Sequence, residues 1–237
     1  MKAILIFLFS IIVSCNNQSK IDYDSNNPKV SFAVSKIQDQ ITDSTVYRNI
    51  FFKLKKDSYE KQAYEIDVNN DKVIVYASDD LGLMYGGLEV AEQLELYGKI
   101  KHTSHSPYIL KRGLKMNIPL DARTPGYDDT GDAAQMNIDT VWEWDFWEAH
   151  LDQMAINRFN ILTLWNPHPF PSMIKQHNFP NVALDDICIT TLKPTGKENE
   201  WAEPQMVSRN VVENLKVVKK IRIDEKIAFW QKVMQHA

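Results

Sequence analysis

The stretch from Tyr108 to Pro171 constrains the fold most, because it runs from a strand through a long loop and a helix to a second strand. The first strand is predicted to end near Asn117, and the second to cover 159–165, FNILTLW. Between them we expect a helix over about 145–157, with apolar residues at three- and four-residue steps: Trp147, Leu151, Met154 and Ala155. Such a unit builds parallel sheets, and a strand as apolar as the second is typical of one covered on both faces. The sequence therefore predicts the start of an α/β barrel.

Polar side chains follow both predicted strands at the point where each strand ends. Substrate sites of barrel enzymes lie at the carboxyl ends of the strands, in the loops that follow them. The loop after the first strand, 119 to about 140, is polar, and it exceeds the roughly 12–15 residues beyond which a loop is usually functional or disordered. We therefore select six candidate substrate-binding residues near the two strand ends: Asn117, Asp121, Arg123, Trp165, Asn166 and His168.

These residue types suit a sugar ring. A pyranose needs hydrogen-bond donors and acceptors at its hydroxyl groups and an apolar surface beneath its flat face. A structural alternative stays open, in which Trp165 is core packing and Arg123 is an ion-paired anchor for its loop. The helical spacing of Trp142, Trp144 and Trp147 favours packing of helix on sheet over a carbohydrate-stacking cluster.

Residues 28–100 are predicted to form a small α/β domain. Alternating residues over 50–54 and 64–68 indicate strands, and the second strand returns over 73–76 as a hairpin after Asn69-Asn70-Asp71. Asp79 or Asp80 can cap a helix that runs to about Tyr97, where Gly98 can take the left-handed conformation. The apolar face of this helix comprises Leu81, Met84, Leu88, Ala91 and Leu94.

The first fifteen residues are predicted to be a targeting segment. Lys2 precedes an apolar run of eleven residues, Ala3 to Val13, which is shorter than the about 20 residues of a membrane span but suits a signal peptide. The run ends in Ile12-Val13-Ser14-Cys15, which resembles the lipobox of bacterial lipoproteins. The resemblance implies a lipid on Cys15 and an anchor in the bacterial cell envelope. The alternative is an ordinary signal peptide with an incidental cysteine, and in either case 16–27 reads as a solvated tether.

Composition and charge exclude other classes of function. The net charge of −4 gives no electrostatic footprint for nucleic acid or for an anionic membrane surface. Cys188, beside two isoleucines, is expected to be a buried small hydrophobe and not a nucleophile. His102 and His105 lack a third ligand, and no metal or cofactor motif is found, so we expect neither a metal nor a cofactor.

The domain at 28–100 resembles the small domain that precedes the catalytic barrel in family-20 hexosaminidases and in α-glucuronidases. The run that carries this resemblance is AYEIDVNNDKVIVYASDDLGLMYGGLEVAEQL. The resemblance implies a zincin-like platform without metal at 28–100, a linker at 101–109 and the barrel from 110 onward.

The barrel portion is similar to the same enzymes, and more to α-glucuronidase-like hydrolases of Bacteroidetes, over NIPLDARTPGYDDTGDAAQ and FWEAHLDQMAINRFNILTLWNPHPFP. Lys111-Arg112-Gly113-Leu114 resembles the start of the first barrel strand of family-20 enzymes. Four residues after the glycine those enzymes have an aspartate, where this chain has Asn117, and Asp121 and Arg123 are displaced along the loop.

The remaining sequence predicts a long connection over 167–207 and two helices. The first helix is capped by Ser208 and has Val211, Leu215 and Val218 on one face, and the second is capped by Asp224. The 127 residues from 111 to 237 are fewer than the about 250 of a typical eight-unit barrel, so we expect an incomplete barrel.

The resemblance places the catalytic carboxylates on later barrel strands, so no catalytic residue is assigned in 1–237. The expected function is that of the amino-terminal part of an envelope glycoside hydrolase, with an oligosaccharide or polysaccharide as its substrate. The alternative is a non-catalytic glycan-binding lipoprotein.

Overall fold

The computed structural model describes residues 20–42, 49–124, 136–166, 168–191 and 209–237. The chain divides into two compact units, residues 1–110 and 111–237. The predicted signal segment, including Cys15, lies outside the described residues. Within the described ranges, no helix has both the length and the apolar character needed to cross a membrane.

The first unit is built on a five-stranded mixed sheet with strand order β1-β2-β4-β3-β5. Strands β1, β2 and β4 run parallel, and β3 runs antiparallel to both β4 and β5. The strands are β1 (Lys20–Asp22), β2 (Asn49–Leu54), β3 (Tyr64–Asn69), β4 (Lys72–Ala77) and β5 (Thr103–His105). The hairpin predicted from the Asn69-Asn70-Asp71 turn is confirmed as β3–β4, with Asn70 at a positive φ of 53°.

Two helices, α1 (Pro28–Gln40) and α2 (Asp80–Tyr97), pack against each other in this unit. The predicted ends of α2 are confirmed: the Asp79 side chain accepts the Gly82 N–H, and Gly98 ends the helix with φ 62°. The close approach of α2 to the sheet depends on Gly86, because a Cβ there would lie 2.5 Å from Val75 Cγ1. Apart from Leu81, the predicted face of α2 is buried, and so are Leu83, Tyr85 and Val90 on its other sides.

Three features of the first unit differ from the sequence interpretation. Residues 20–22 of the predicted tether form β1, because their backbone pairs with β2. The side chains of this polar segment show no strand pattern, so the pairing could not be predicted from them. Helix α1 was not predicted, although Asn27 caps it by accepting the N–H groups of Lys29 and Val30. Residues 103–105 of the predicted linker form β5.

The second unit contains the predicted parallel pair of strands, β6 (Gly113–Asn117) and β7 (Ile161–Trp165). Helix α3 (Trp144–Ile156) lies between them in sequence and buries Trp147, Leu151 and Met154, as predicted. The predicted order of strand, helix and parallel strand is therefore confirmed. Strand β7 is not covered on both faces among the described residues: Leu162 and Leu164 pack against the core cluster, whereas Ile161 and Thr163 are exposed.

Tryptophans form the centre of the core of this unit. Trp142 and Trp147 are 2% and 0% exposed, and both rings contact Trp230 of α6 (Ile223–His236) at centroid distances of 5.7 and 5.3 Å. Their indole N–H groups donate to the carbonyl oxygens of Leu120 and Val141, respectively. The prediction that these two tryptophans are packing residues is confirmed, and α6 supplies much of the surface they pack on.

The segment after β7 departs most from the prediction. It contains α4 (Phe170–Met173), β8 (Asp186–Thr190), α5 (Arg209–Glu213) and β9 (Leu215–Lys220), with β8 and β9 paired antiparallel. The predicted helix through Val211, Leu215 and Val218 is wrong beyond Glu213. Its three apolar positions fit a helical period, but Leu215 pairs with Thr190, and the β-branched Val217 and Val218 suit a strand. The second predicted helix is α6, with Arg222 and not Asp224 at its amino-terminal cap.

Candidate functional site

The side chain of Asn166 links the carboxyl ends of β6 and β7 by hydrogen bonds. Its Nδ2 donates to the carbonyl oxygen of Ile118 at 2.7 Å, and its Oδ1 accepts the backbone N–H of His168 at 2.7 Å. The N–H of Ile118 donates in turn to the carbonyl oxygen of Trp165 at 3.0 Å. Asn166 therefore fixes the two chain segments that leave the strands, and it sets the direction in which His168 follows.

Asn117 and Trp165 are cross-strand partners at these ends. In a parallel pair, residues in register point to the same face, so the two side chains share a face with Lys115 and Thr163 two residues earlier. Asn117 is exposed and Trp165 is half-buried. The Lys115 Nζ lies 5.0 Å from the centroid of the Trp165 ring, within the range of a cation–π contact. Lys115 was not among the predicted candidates, although its position two residues before Asn117 on a strand already implied a shared face.

Asp121 and Arg123 form a second group, in the loop after β6. Asp121 is 1% exposed, and its carboxylate accepts Arg123 Nε at 2.7 Å and Arg123 Nη2 at 2.8 Å in a bidentate pair. It also accepts the backbone N–H groups of Arg123 and Cys188, both at 2.9 Å. The buried carboxylate therefore has four donors, which compensate for its removal from water.

Arg123 extends this group to β8. Its Nη2 donates to Asp186 Oδ1 at 2.5 Å, so the guanidinium lies between two carboxylates. The hydrogen bonds to Asp121 raise the pKa of Arg123 well above its ordinary range and outweigh the opposing effect of burial. Arg123 is a permanent cation whose charge is matched within its own unit, an arrangement that corresponds to the ion-paired anchor considered from the sequence.

Lys226 of α6 also belongs to the network of Asp121, Arg123 and Asp186. It is 0% exposed, its Nζ donates to the carbonyl oxygen of Asp186 at 2.7 Å, and it lies 5.4 Å from the centroid of the Trp142 ring. Burial lowers the pKa of Lys226, against the attraction of Asp121 and Asp186. Sequence analysis missed Asp186 and Lys226, since nothing in their local patterns separates them from surface charges.

Cys188 is buried beside this network, and burial raises the pKa of its thiol. Its 2% exposure confirms the prediction of a small buried residue. A raised pKa disfavours the thiolate, which is the nucleophilic form. The ligand atoms of Asp121, Asp186 and Cys188 lie within 4.8 Å of one another. The Arg123 guanidinium already pairs with both carboxylates, so the arrangement favours an ion-pair network over a metal site.

The structure thus brings the predicted residues together in two groups. Asn117, Trp165, Asn166 and His168 lie at the paired ends of β6 and β7, whereas Asp121 and Arg123 lie with β8 and α6. Residues 125–135 of the loop and Pro167 lie outside the described residues. The first group has an aromatic ring, the amide of Asn117 and an imidazole near one edge, a combination that suits a small polar ligand with an apolar face, and Asn166 holds that edge together.

No protein-family model matches the sequence, and no curated protein matches it. Solved structures of glycoside hydrolases match parts of this chain. A GH138 enzyme targeting pectin rhamnogalacturonan II matches 69% of this chain and 20% of its own, with a TM-score of 0.53 and 23% identity. A GH115 4-O-methyl-α-glucuronidase with specificity for decorated arabinogalactans matches 62% of this chain and 25% of its own, with a TM-score of 0.41 and 16% identity. The chitobiase of Flavobacterium johnsoniae matches 93% of this chain and 29% of its own, with a TM-score of 0.42 and 16% identity.

The likeness to the GH138 enzyme shows a glycoside-hydrolase-like α/β fold. The chain spans about a fifth of the length of that enzyme.

Proposed function

We propose that this chain is the amino-terminal part of a glycoside hydrolase that cleaves glycosidic bonds in complex carbohydrates, of α-glucuronidase-like or hexosaminidase-like type. In this proposal the first unit is the zincin-like platform, without metal, and the second begins a (β/α)8 barrel. The observation that carries the proposal is the parallel β6–α3–β7 unit, with Asn117, Trp165 and Asn166 together at its carboxyl ends. Substrate sites of barrels are found at that end of the strands.

The ion-pair network supports a structural role for Asp121 and Arg123 within this proposal. Asp121 and Arg123 tie the loop after β6 to β8, and Lys226 ties β8 to α6. These contacts hold the base of the loop, and Asn166 holds the two strand ends together, while the proposal assigns contact with the sugar to Asn117 and Trp165. Glycosidases use two carboxylates, or one carboxylate with help from the substrate, and the proposal assigns those carboxylates to barrel strands that 1–237 do not supply.

The function is tested by comparing 1–237 with a longer product of the same reading frame. We expect no release of p-nitrophenol from aryl glucuronides or aryl N-acetylglucosaminides by 1–237, and release by the longer product. Turnover by 1–237 alone would contradict the assignment of the catalytic carboxylates to later strands. Glycan binding by both products without turnover would favour the non-catalytic lipoprotein instead.

We also propose that the mature protein is anchored in the bacterial cell envelope, on the periplasmic or surface side of the outer membrane, through a lipid on Cys15. The support is the sequence Ile12-Val13-Ser14-Cys15 after an apolar run of signal-peptide length. Labelled palmitate should enter the protein in cells, and Cys15→Ser should abolish the label and release the protein from the membrane fraction. The matched control is Cys188→Ser, which should keep the label. Membrane retention of Cys15→Ser would contradict the anchor.

A further inference from the structure

The exposed face of the β6–β7 pair carries one side chain with a positive charge, Lys115. Lys115 and Thr163 are paired in register, and Asn117 and Trp165 follow on the same face. All but Trp165 are exposed. Among the described residues, Lys115 has no carboxylate partner, and its Nζ lies over the Trp165 ring, 5.0 Å from the ring centroid.

Arg123 differs from Lys115 in this respect. Its guanidinium is held by Asp121 and Asp186, at 2.7 and 2.5 Å, and its side chain is 24% exposed. A ligand carboxylate would have to compete with two protein carboxylates for the same donors. Of these two cations near the strand ends, Lys115 is therefore the one whose charge is not matched by a carboxylate of the described residues.

The placement of Lys115 beside an aromatic ring also limits the kind of ligand. Stacking on Trp165 needs a flat apolar surface, and Asn117 next to it in register can exchange hydrogen bonds with hydroxyl groups. A lysine ammonium beside that surface attracts a negative charge carried by the stacked ring. A pyranose with a carboxylate substituent has all three properties, whereas a neutral N-acetylhexosamine leaves the ammonium without a partner.

We propose that Lys115 is a specificity-determining residue that selects a carboxylated pyranose stacked on Trp165. This inference rests on the proposed function, and it distinguishes the α-glucuronidase-like form of that function from the hexosaminidase-like form. Lys115 binds the carboxylate group, Trp165 contacts the ring face, and Asn117 binds a hydroxyl group.

The test is an NMR titration of the 237-residue chain with D-glucuronate and with D-glucose at constant ionic strength, and with acetate as an anion without a ring. The Trp165 indole N–H signal is assigned with Trp165→Phe, and the Lys115 Cε signal with Lys115→Arg. We expect glucuronate to shift both signals, and glucose to shift the Trp165 signal with an affinity at least about tenfold weaker, since loss of a charge-assisted contact has about that effect. Acetate should leave the Trp165 signal unchanged.

Lys115→Met removes the charge and keeps a flexible stem. It should weaken glucuronate binding about tenfold and leave glucose binding unchanged, and Lys115→Arg should retain the preference for glucuronate. Lys216→Met, at an exposed lysine of β9 in the same unit, should leave both affinities unchanged.

Two negative results have different meanings. If both sugars shift the Trp165 signal equally and Lys115→Met changes neither affinity, Lys115 is not the selecting residue and the proposed sugar surface survives. If neither sugar shifts the Trp165 signal, the surface itself does not contact a sugar, and both proposals fail at this site. An equal response to acetate and glucuronate at Lys115 would show a general anion contact and overturn the selection of a sugar.

Discussion

At the scale of single residues, the structure separates side chains that hold the chain together from side chains that remain available to a ligand. Asn166 and Arg123 were both selected as sugar contacts from their positions after predicted strands. The structure gives each of them protein partners: Ile118 and His168 for Asn166, and Asp121 and Asp186 for Arg123. The distant partner in each set could not be predicted from local sequence, because Asp186 lies 63 residues from Arg123 and Ile118 lies 48 residues from Asn166.

The anchoring role of Arg123 makes a prediction about stability. Arg123→Ala would leave the carboxylate of Asp121, which is fully buried, without its bidentate partner. Removal of one member of a buried pair costs about 3–5 kcal/mol, because the remaining charge is uncompensated. We expect Arg123→Ala to lower the free energy of unfolding of the second unit by about 3 kcal/mol, measured by urea denaturation with tryptophan fluorescence.

The matched control for Arg123 is an exposed ion pair in the same unit. Lys175 pairs with Asp224 at 2.9 Å, and both side chains are 54% exposed. Lys175→Ala should cost less than about 1 kcal/mol, as exposed pairs generally do. If Arg123→Ala costs no more than Lys175→Ala but impairs sugar binding, Arg123 is a sugar contact and not an anchor.

At the scale of secondary-structure elements, the sequence predicts those whose signals are local. Asp79 and Gly98 bound α2 because a carboxylate cap and a left-handed glycine act on their own helix ends. Strands β3, β4, β6 and β7 follow from alternation, turn residues and a β-branched or apolar composition. The parallel pairing of β6 with β7 follows from the helix between them, since a crossover connection returns the chain in the same direction.

The elements that sequence reasoning missed depend on partners distant in the chain. Strand β1 has three residues, Lys-Ile-Asp, and it is a strand because its backbone forms hydrogen bonds with β2. Strand β9, LKVVKK, carries apolar residues at positions compatible with either period, and its pairing with β8 decides between them. The short strand β5 likewise exists through its contact with β3. Tertiary pairing overrides local preference at each of these places.

At the scale of the whole molecule, the two units differ in how their sheets are covered. The first unit has a five-stranded sheet with two packed helices, and β3 lies between two strands. The second unit has a core of tryptophans and helices, but within its described ranges the parallel sheet has two strands. Leu114 and Ile161 of that pair are 41% and 36% exposed. The two residues lie on opposite faces of the pair, since Leu114 is in register with Leu162 and Ile161 with Gly113. In the proposed barrel, further strands would pair with the edges of β6 and β7 and would reduce this exposure.

This difference predicts uneven hydrogen exchange in the 237-residue chain. Amides in 64–97 should exchange slowly, because α2 packs on β3 and β4 and α1 packs on α2. Amides of α3 and α6 should follow through their shared tryptophan core. Amides of Gly113–Asn117 should exchange more than about tenfold faster than those of Tyr64–Asn69, since a two-stranded pair with an open face opens at low cost. Mass spectrometry of peptides from the two strands measures this ratio under identical conditions. Equal protection of the two strands would show that the β6–β7 pair is already covered in 1–237, and it would contradict the assignment of that role to later barrel strands.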